Sequence, residues 1–193
     1  TPPSSITQHG NLLSDGNVAL DATTTIDFDG TVGATTAIGG NFIIGTNTTT
    51  ANVDLADAVS VDGLISITGA NVTIGGAVRA DANSAGNEAL TISATNTAAS
   101  DLNVNNILTT NTGAITLSAK DDIIFAAAGD LASNNGNVLV TADSDNTAAG
   151  SGGALTMADG TTINAGSGTI TMSADENIAL GGLTTTNATG AAV

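Results

Sequence analysis

The sequence predicts an all-β protein, a parallel β-helix (solenoid) in which three short strands form each coil. Three observations support this fold class. A seven-residue phrase recurs at intervals near 23 residues, its apolar residues alternate with small polar ones, and residues typical of turns separate the alternating segments. One copy is too short to bury its own apolar face, whereas successive copies stacked in register bury it against one another.

The recurring phrase marks the start of each coil. Clear copies are Gly113 to Ala119 (GAITLSA) and Gly168 to Ala174 (GTITMSA), and the starts fall near residues 16, 40, 63, 88, 113, 136, 168 and 191. The chain therefore divides into a partial preceding coil at 1–15 and roughly 7–8 coils of about 23 residues at 16–193. The coil that starts at 136 is longer than the others, and we assign its extra residues to an inserted surface loop at 143–153.

Each coil contains three apolar segments of strand type. Two apolar residues spaced two apart lie on one face of a strand, and their polar neighbours lie on the other. First strands are predicted at Val18/Leu20, Phe42/Ile44, Ile65/Ile67, Leu90/Ile92, Ile115/Leu117, Val138/Val140 and Ile170/Met172. Second strands are predicted at Ile26/Phe28, Val53/Leu55, Val72/Ile74, Leu102/Val104, Ile123/Phe125, Leu155/Met157 and Ile178/Leu180. A third apolar point follows at Val32, Val59 or Val61, Val78, Ile107, Leu131, Ile163 and Leu183.

The composition argues against several classes of partner and site. Eighteen acidic residues oppose two basic ones, which gives a net charge of −16. We expect no nucleic-acid binding, because almost no side chain is available to neutralise phosphates. We expect no membrane insertion, because no apolar run reaches the roughly 20 residues that a spanning helix needs. The absence of cysteine removes a disulfide framework and any thiolate metal site.

The residues that could perform catalysis are sparse, and no enzyme is predicted. A polysaccharide lyase needs a base and cations that hold an acidic sugar, but the only basic residues, Arg79 and Lys120, fall in different coils. Asp27 and Asp29 would supply the paired carboxylates of a hydrolase, yet their alternation with apolar residues is typical of a solvated strand face. We interpret His9, the single histidine, as a turn residue. A polysaccharide-active enzyme is the most distant alternative.

The inserted loop contains the only metal site that the sequence predicts. Asp143, Asp145 and Asn146 offer three oxygen ligands within four residues, and calcium prefers oxygen ligands. The loop has neither the EF-hand pattern nor the glycine-rich nonapeptide of calcium-binding β-rolls. A calcium site therefore competes with a solvated acidic loop as the interpretation, and no other cofactor is predicted.

One extended stretch resembles a known kind of repeat. The pattern GxIxLxA, followed by alternating apolar residues and GGLTTxN, resembles the repeats of bacterial filamentous-haemagglutinin-like exoproteins and large surface adhesins. The segment from Gly168 to Asn187 carries the likeness most fully, and the segment from Gly113 to Asn135 carries it nearly as well. The resemblance implies a right-handed β-helix, export to the cell surface, and a role in adhesion or matrix building. It brings no catalytic residues with it.

These observations together predict a non-catalytic structural or adhesive stalk segment of a large extracellular or cell-surface bacterial protein. The expected partners are the continuation of a longer chain or further copies joined through open coil ends, and a host surface, a neighbouring cell surface or a polysaccharide. The alternative is a subunit of a self-assembling extracellular filament, sheath or matrix fibre. An uncapped solenoid exposes strand edges, which favour pairing from end to end.

Overall fold

The computed structural model describes residues 1–33, 36–45, 51–95, 99–145 and 153–188. Within these ranges all regular structure is β-strand, and there is no helix long and apolar enough to cross a membrane. The strands contain two to five residues each, because turn residues interrupt the alternating pattern at short intervals.

The strands follow one another in a fixed order within each coil. In chain order they are β1 Ser5–Gln8, β2 Val18–Leu20, β3 Thr25–Phe28, β4 Phe42–Ile44, β5 Asn52–Leu55, β6 Val59–Ser60, β7 Ile65–Gly69, β8 Val72–Ile74, β9 Val78–Arg79, β10 Leu90–Ala94, β11 Leu102–Val104, β12 Leu108–Thr109, β13 Ile115–Ala119, β14 Ile123–Phe125, β15 Leu131–Ala132, β16 Val138–Thr141, β17 Leu155–Met157, β18 Thr162–Asn164, β19 Ile170–Ser173, β20 Ile178–Ala179 and β21 Gly182–Thr184.

Three parallel sheets form the walls of the coil. The first sheet has the order β2-β4-β7-β10-β13-β16-β19, the second β1-β3-β5-β8-β11-β14-β17-β20, and the third β6-β9-β12-β15-β18-β21. Each strand inside a sheet thus pairs with the equivalent strands of the preceding and following coils. This topology confirms the predicted parallel β-helix with three strands per coil.

The predicted apolar positions stack in register and fill the interior. In the first sheet Ile92 lies between Ile67 and Leu117, and all three side chains are 0% exposed. The three phenylalanines are equally buried, and Phe28 packs edge-to-face on Phe42 with ring centroids 5.7 Å apart. These columns form a single core, because each coil covers the inward face of the coil before it.

Three predicted core positions differ in the structure. Leu108, not Ile107, pairs with Val78 and Leu131 in the third sheet. Two successive apolar residues cannot be told apart by alternation in so short a strand, so the pairing register selects between them. Ile178 and Leu180 are 43% and 55% exposed, because no further described coil packs over them.

The segment before the first full coil joins the same stack. Strand β1 pairs with β3, so that Ile6 lies beside Ile26, and Leu12 forms an isolated bridge to Val32. Val59 and Val61, which the sequence offers as alternatives, both take part: Val59 pairs with Val78, and Val61 bridges to Ile38. The predicted coil start near 191 lies outside the described residues.

Candidate functional site: an acidic corner between the first and second sheets

Two of the three predicted calcium ligands, Asp143 and Asp145, lie at the corner between the first and second sheets. The Asp143 amide donates to the Asp121 carbonyl at 3.3 Å, and the Ser144 amide donates to the Ala119 carbonyl at 2.8 Å. The Asp145 carboxylate lies 3.6 Å from the Lys120 ammonium. Asn146 lies outside the described residues. The ion pair with Lys120 offsets one of the charges that the calcium interpretation assigns to this loop.

A different group of three carboxylates comes together at this corner. Asp101, Asp121 and Asp122 each place an oxygen within 4.8 Å of the other two, and all three residues are half-buried. Asp121 and Asp122 follow strand β13, whereas Asp101 precedes strand β11 in the coil before. The sequence predicts acidic residues near this turn, but it does not indicate that Asp101 lies beside them.

Backbone hydrogen bonds explain why these side chains converge. Where the second strand begins in four successive coils, a side-chain oxygen accepts a hydrogen bond from the backbone amide of the equivalent residue in the next coil. These bonds run from the Asn71 amide to Asn52, from Asp101 to Asn71, from Asp122 to Asp101, and from Ala154 to Asp122, with distances from 2.9 to 3.2 Å. We call Asn52, Asn71, Asp101 and Asp122 the corner ladder.

The corner ladder accounts for the acidic cluster without a metal ion. Asp101 and Asp122 are consecutive rungs, and the Asp121 carboxylate accepts from the Gly153 amide at 3.1 Å. Stacking places like charges together, so burial and then the Asp122 and Asp101 carboxylates raise the pKa of Asp121, against the lowering effect of the Gly153 amide. We therefore assign this cluster a structural role in joining coils.

A signal for the corner ladder is present in the sequence. Asn or Asp stands immediately before the first apolar residue of the second strand in four successive coils, at positions 52, 71, 101 and 122. Because stacked Asn and Asp side chains bond readily to nearby backbone amides, an in-register column of them indicates a ladder. The apolar columns define the register on which this column depends.

The two basic candidate residues lie apart from each other, whereas His9, Asp27 and Asp29 lie near one another at β3. The His9 imidazole is 3.0 Å from the Asp29 carboxylate on an exposed surface. Arg79 belongs to the third sheet and bonds to the Ser84 hydroxyl at 3.3 Å, whereas Lys120 lies after a strand of the first sheet. Asp27 faces outward on β3 and lies beside Asp54 of β5. Arg79 and Lys120 therefore occupy separate parts of the described surface.

The pairing of Asp27 with Asp54 produces a testable pH dependence. Partial desolvation, followed by the Asp27 and Asp29 carboxylates, raises the pKa of Asp54 above its ordinary value of 3.8. The folded state thus holds the Asp54 proton more tightly than the unfolded chain does. The stabilising contribution is fully present below the unfolded pKa, and it is lost as pH rises through the raised folded pKa.

We therefore expect Asp54→Asn to raise the free energy of unfolding at neutral pH. The gain should be about 0.5 kcal/mol or less, because Asp54 is exposed and solvent screens its charge. Urea unfolding at neutral pH and at about pH 4 measures it, and the gain should shrink at the lower value. Asp159→Asn removes the same charge at another exposed turn and is the control. A constant difference between Asp54→Asn and the natural chain across this range would contradict the assignment.

Comparison with models of protein families, with curated proteins and with solved structures finds no match to this chain. The functional conclusion therefore depends on the geometry of the chain itself.

Proposed function

We propose that this chain is a non-catalytic stalk segment of a large extracellular or cell-surface bacterial protein. Its role is to hold other parts of that protein, or neighbouring molecules, at a distance on a stiff rod. The observation that carries the proposal is the uninterrupted stack of buried columns, because it links every described coil to the next through three sheets and one core.

The dimensions and surface of the stack suit a spacer. Strands in a sheet lie about 4.8 Å apart, so the eight strands of the second sheet extend over roughly 35 Å. Outward positions on the strands hold mostly small polar residues, such as Thr91, Ser93, Thr116 and Ser118 of the first sheet. A strongly negative net charge keeps such a rod soluble. The resemblance of the repeats to those of exported adhesins supports location at the cell surface.

The second candidate is a subunit that joins further copies end to end into a filament. The specific observation in its favour is the last described coil. Strands β19, β20 and β21 each pair on one side only, and Ile178 and Leu180 leave 43% and 55% of their surface exposed beside them. An exposed strand edge with adjacent apolar side chains is a template for pairing with another chain.

Sedimentation and electron microscopy of the isolated 193-residue chain distinguish the two candidates. A stalk segment remains monomeric over a range of about 1 to 100 µM, well above the concentration at which stable interfaces associate. A filament subunit grows with concentration, and Ile178→Lys with Leu180→Lys should block that growth. Growth that the paired substitution blocks would overturn the stalk proposal in favour of the filament.

The matched control uses apolar residues on the sides of the stack. Ile124 and Leu139 are 38% and 41% exposed, and their strands pair on both sides. Ile124→Lys with Leu139→Lys should leave end-to-end growth unchanged. If this control blocked assembly as strongly as the end substitutions do, association would be lateral, and the filament model would be wrong.

An adhesive stalk also requires a binding partner. We propose that the outward face contacts a host surface, a neighbouring cell surface or a polysaccharide. Immobilised neutral and acidic polysaccharides provide a direct binding measurement. Release of shortened sugars from an acidic polysaccharide would instead support the enzyme and contradict a purely structural role.

A further inference from the structure

One aspartate in the core-facing part of the structure has an unsatisfied carboxylate oxygen. Asp81 follows β9, is 0% exposed, and has a positive φ of 54°. Its Oδ1 atom accepts from the Gly86 amide at 3.2 Å, while its buried Oδ2 atom has no hydrogen-bond partner among the described residues. A buried carboxylate oxygen without a partner is costly, so it indicates a missing ligand.

A second unsatisfied carboxylate lies in the same loop. The Oε2 atom of Glu88 is also buried without a hydrogen-bond partner in the described part of the chain. The Glu88 carboxylate folds back against Gly86, where a Cβ atom would overlap it. Gly86 thus contacts both acids, through its amide to Asp81 and through its α-carbon to Glu88.

Neighbouring basic groups do not neutralise this pair. Within the described ranges the two ion pairs are His9 with Asp29 and Lys120 with Asp145. Arg79, two residues before Asp81, directs its guanidinium to the Ser84 hydroxyl at 3.3 Å. Among the described residues, neither carboxylate therefore forms an ion pair with a basic group.

Equivalent corners of later coils contain no such deficit. Thr110 and Ser133 are buried there, and their hydroxyls donate to the carbonyl oxygens of Gly113 and Gly136. A hydroxyl supplies its own proton, so these corners are internally satisfied. An ionised carboxylate has no proton to donate, so a cation could satisfy the unpartnered oxygens of Asp81 and Glu88 where a carbonyl or hydroxyl acceptor could not.

We propose that the 81–88 loop binds a calcium ion, with one carboxylate oxygen each from Asp81 and Glu88. Calcium takes about six to eight oxygen ligands in irregular geometry, whereas magnesium retains most of its water in a strict octahedron. The Ser84 amide donates to the Asp81 carbonyl at 3.0 Å and closes a tight loop. Such a loop favours calcium, because calcium accepts protein ligands in irregular positions. Water supplies the remaining ligands.

Calorimetric titration of the chelator-treated chain with calcium chloride and magnesium chloride tests the site. We expect one calcium per chain at this site, with a Kd of about 10⁻⁵ to 10⁻³ M, and at least roughly tenfold weaker magnesium binding. Saturating calcium should raise the melting temperature by about 5–10 °C, the shift expected near 100 times Kd for a chain of this size. Absence of both heat and thermal shift would overturn the proposal.

Charge-removing substitutions of similar shape locate the ion. Asp81→Asn and Glu88→Gln should each weaken calcium binding at least tenfold, and the double variant should lose the calcium-dependent thermal shift. Far-UV circular dichroism checks folding. If Asp81→Asn does not fold, half-buried Glu88→Gln alone decides the test.

Two matched controls exclude other acidic groups. Asp121→Asn with Asp122→Asn keeps the side-chain acceptors of the corner but removes its charge, and Asp143→Asn with Asp145→Asn does the same in the inserted loop. Both pairs should bind calcium within about twofold of the natural chain, which is the scatter expected of a distant, independent site. Calcium binding that survives the Asp81 and Glu88 substitutions but is lost in either control would overturn the assignment.

Discussion

Phe125→Ala is expected to lower the free energy of unfolding by about 3–5 kcal/mol. Phe125 is 1% exposed and lies in register between Val104 and Met157 of the adjacent coils. Truncation removes apolar contacts on both sides and leaves a cavity that neighbouring coils cannot close, because their backbones are held by the ladder of the second sheet. Chemical unfolding followed by far-UV circular dichroism measures the loss.

The adjacent residue provides the control for this experiment. Ile124 belongs to the same strand but faces outward and is 38% exposed, so Ile124→Ala should cost less than about 1 kcal/mol. The large difference between the two losses of unfolding free energy tests the register of the strand, since a shift of one residue would exchange its two faces. Equal losses from the two substitutions would show that the strand does not face the core as described.

Gly136→Ala is the second change with a large expected effect, a loss of about 2–3 kcal/mol. A Cβ atom at Gly136 would overlap the backbone carbonyl of Gly113 in the preceding coil, and the same conflict recurs at Gly168 with Gly136. The backbone cannot move aside as a flexible side chain would, so the two coils must separate locally. The melting temperature and the urea midpoint of the variant measure the cost.

Gly16 is the matched control for the glycine column. It occupies the equivalent coil start, but a Cβ atom there would meet nothing within 4 Å. Gly16→Ala should therefore change the free energy of unfolding by no more than about 1 kcal/mol, and any change should be stabilising, because alanine restricts the unfolded chain. A comparable loss at Gly16 would indicate a backbone requirement for glycine instead of close coil packing.

The glycine column shows how a sequence pattern can be visible before its cause is known. Glycine at successive coil starts is evident from the repeat, and turn formation is its usual explanation. In the structure the cause at Gly113, Gly136 and Gly168 is the approach of one coil to the next. This close approach depends on which residues of adjacent coils pair with each other, and a short stretch of sequence does not specify that pairing.

The acidic residues illustrate the same limit more strongly. Asp101 lies about 20 residues from Asp121 and Asp122 along the chain, yet the corner ladder brings their carboxylates together. Asp81 and Glu88 enclose a loop whose sequence resembles an ordinary polar turn. The burial of Asp81, which motivates the calcium proposal, depends on the contact of that turn with the corner at Val61 and Gly63.

The amino-acid sequence determines the three-strand coil and nearly all of its core, because both arise from short-range periodicities. Alternation at a period of two assigns a face to each apolar residue, and repetition near 23 residues aligns those faces into columns. The number of residues per coil varies, however. Which residue lies beside a given residue in the adjacent coil therefore depends on how each corner folds. The folded stack therefore selects Leu108 over Ile107, brings the corner acids together, and buries Asp81, since these outcomes are contacts between coils instead of patterns within one.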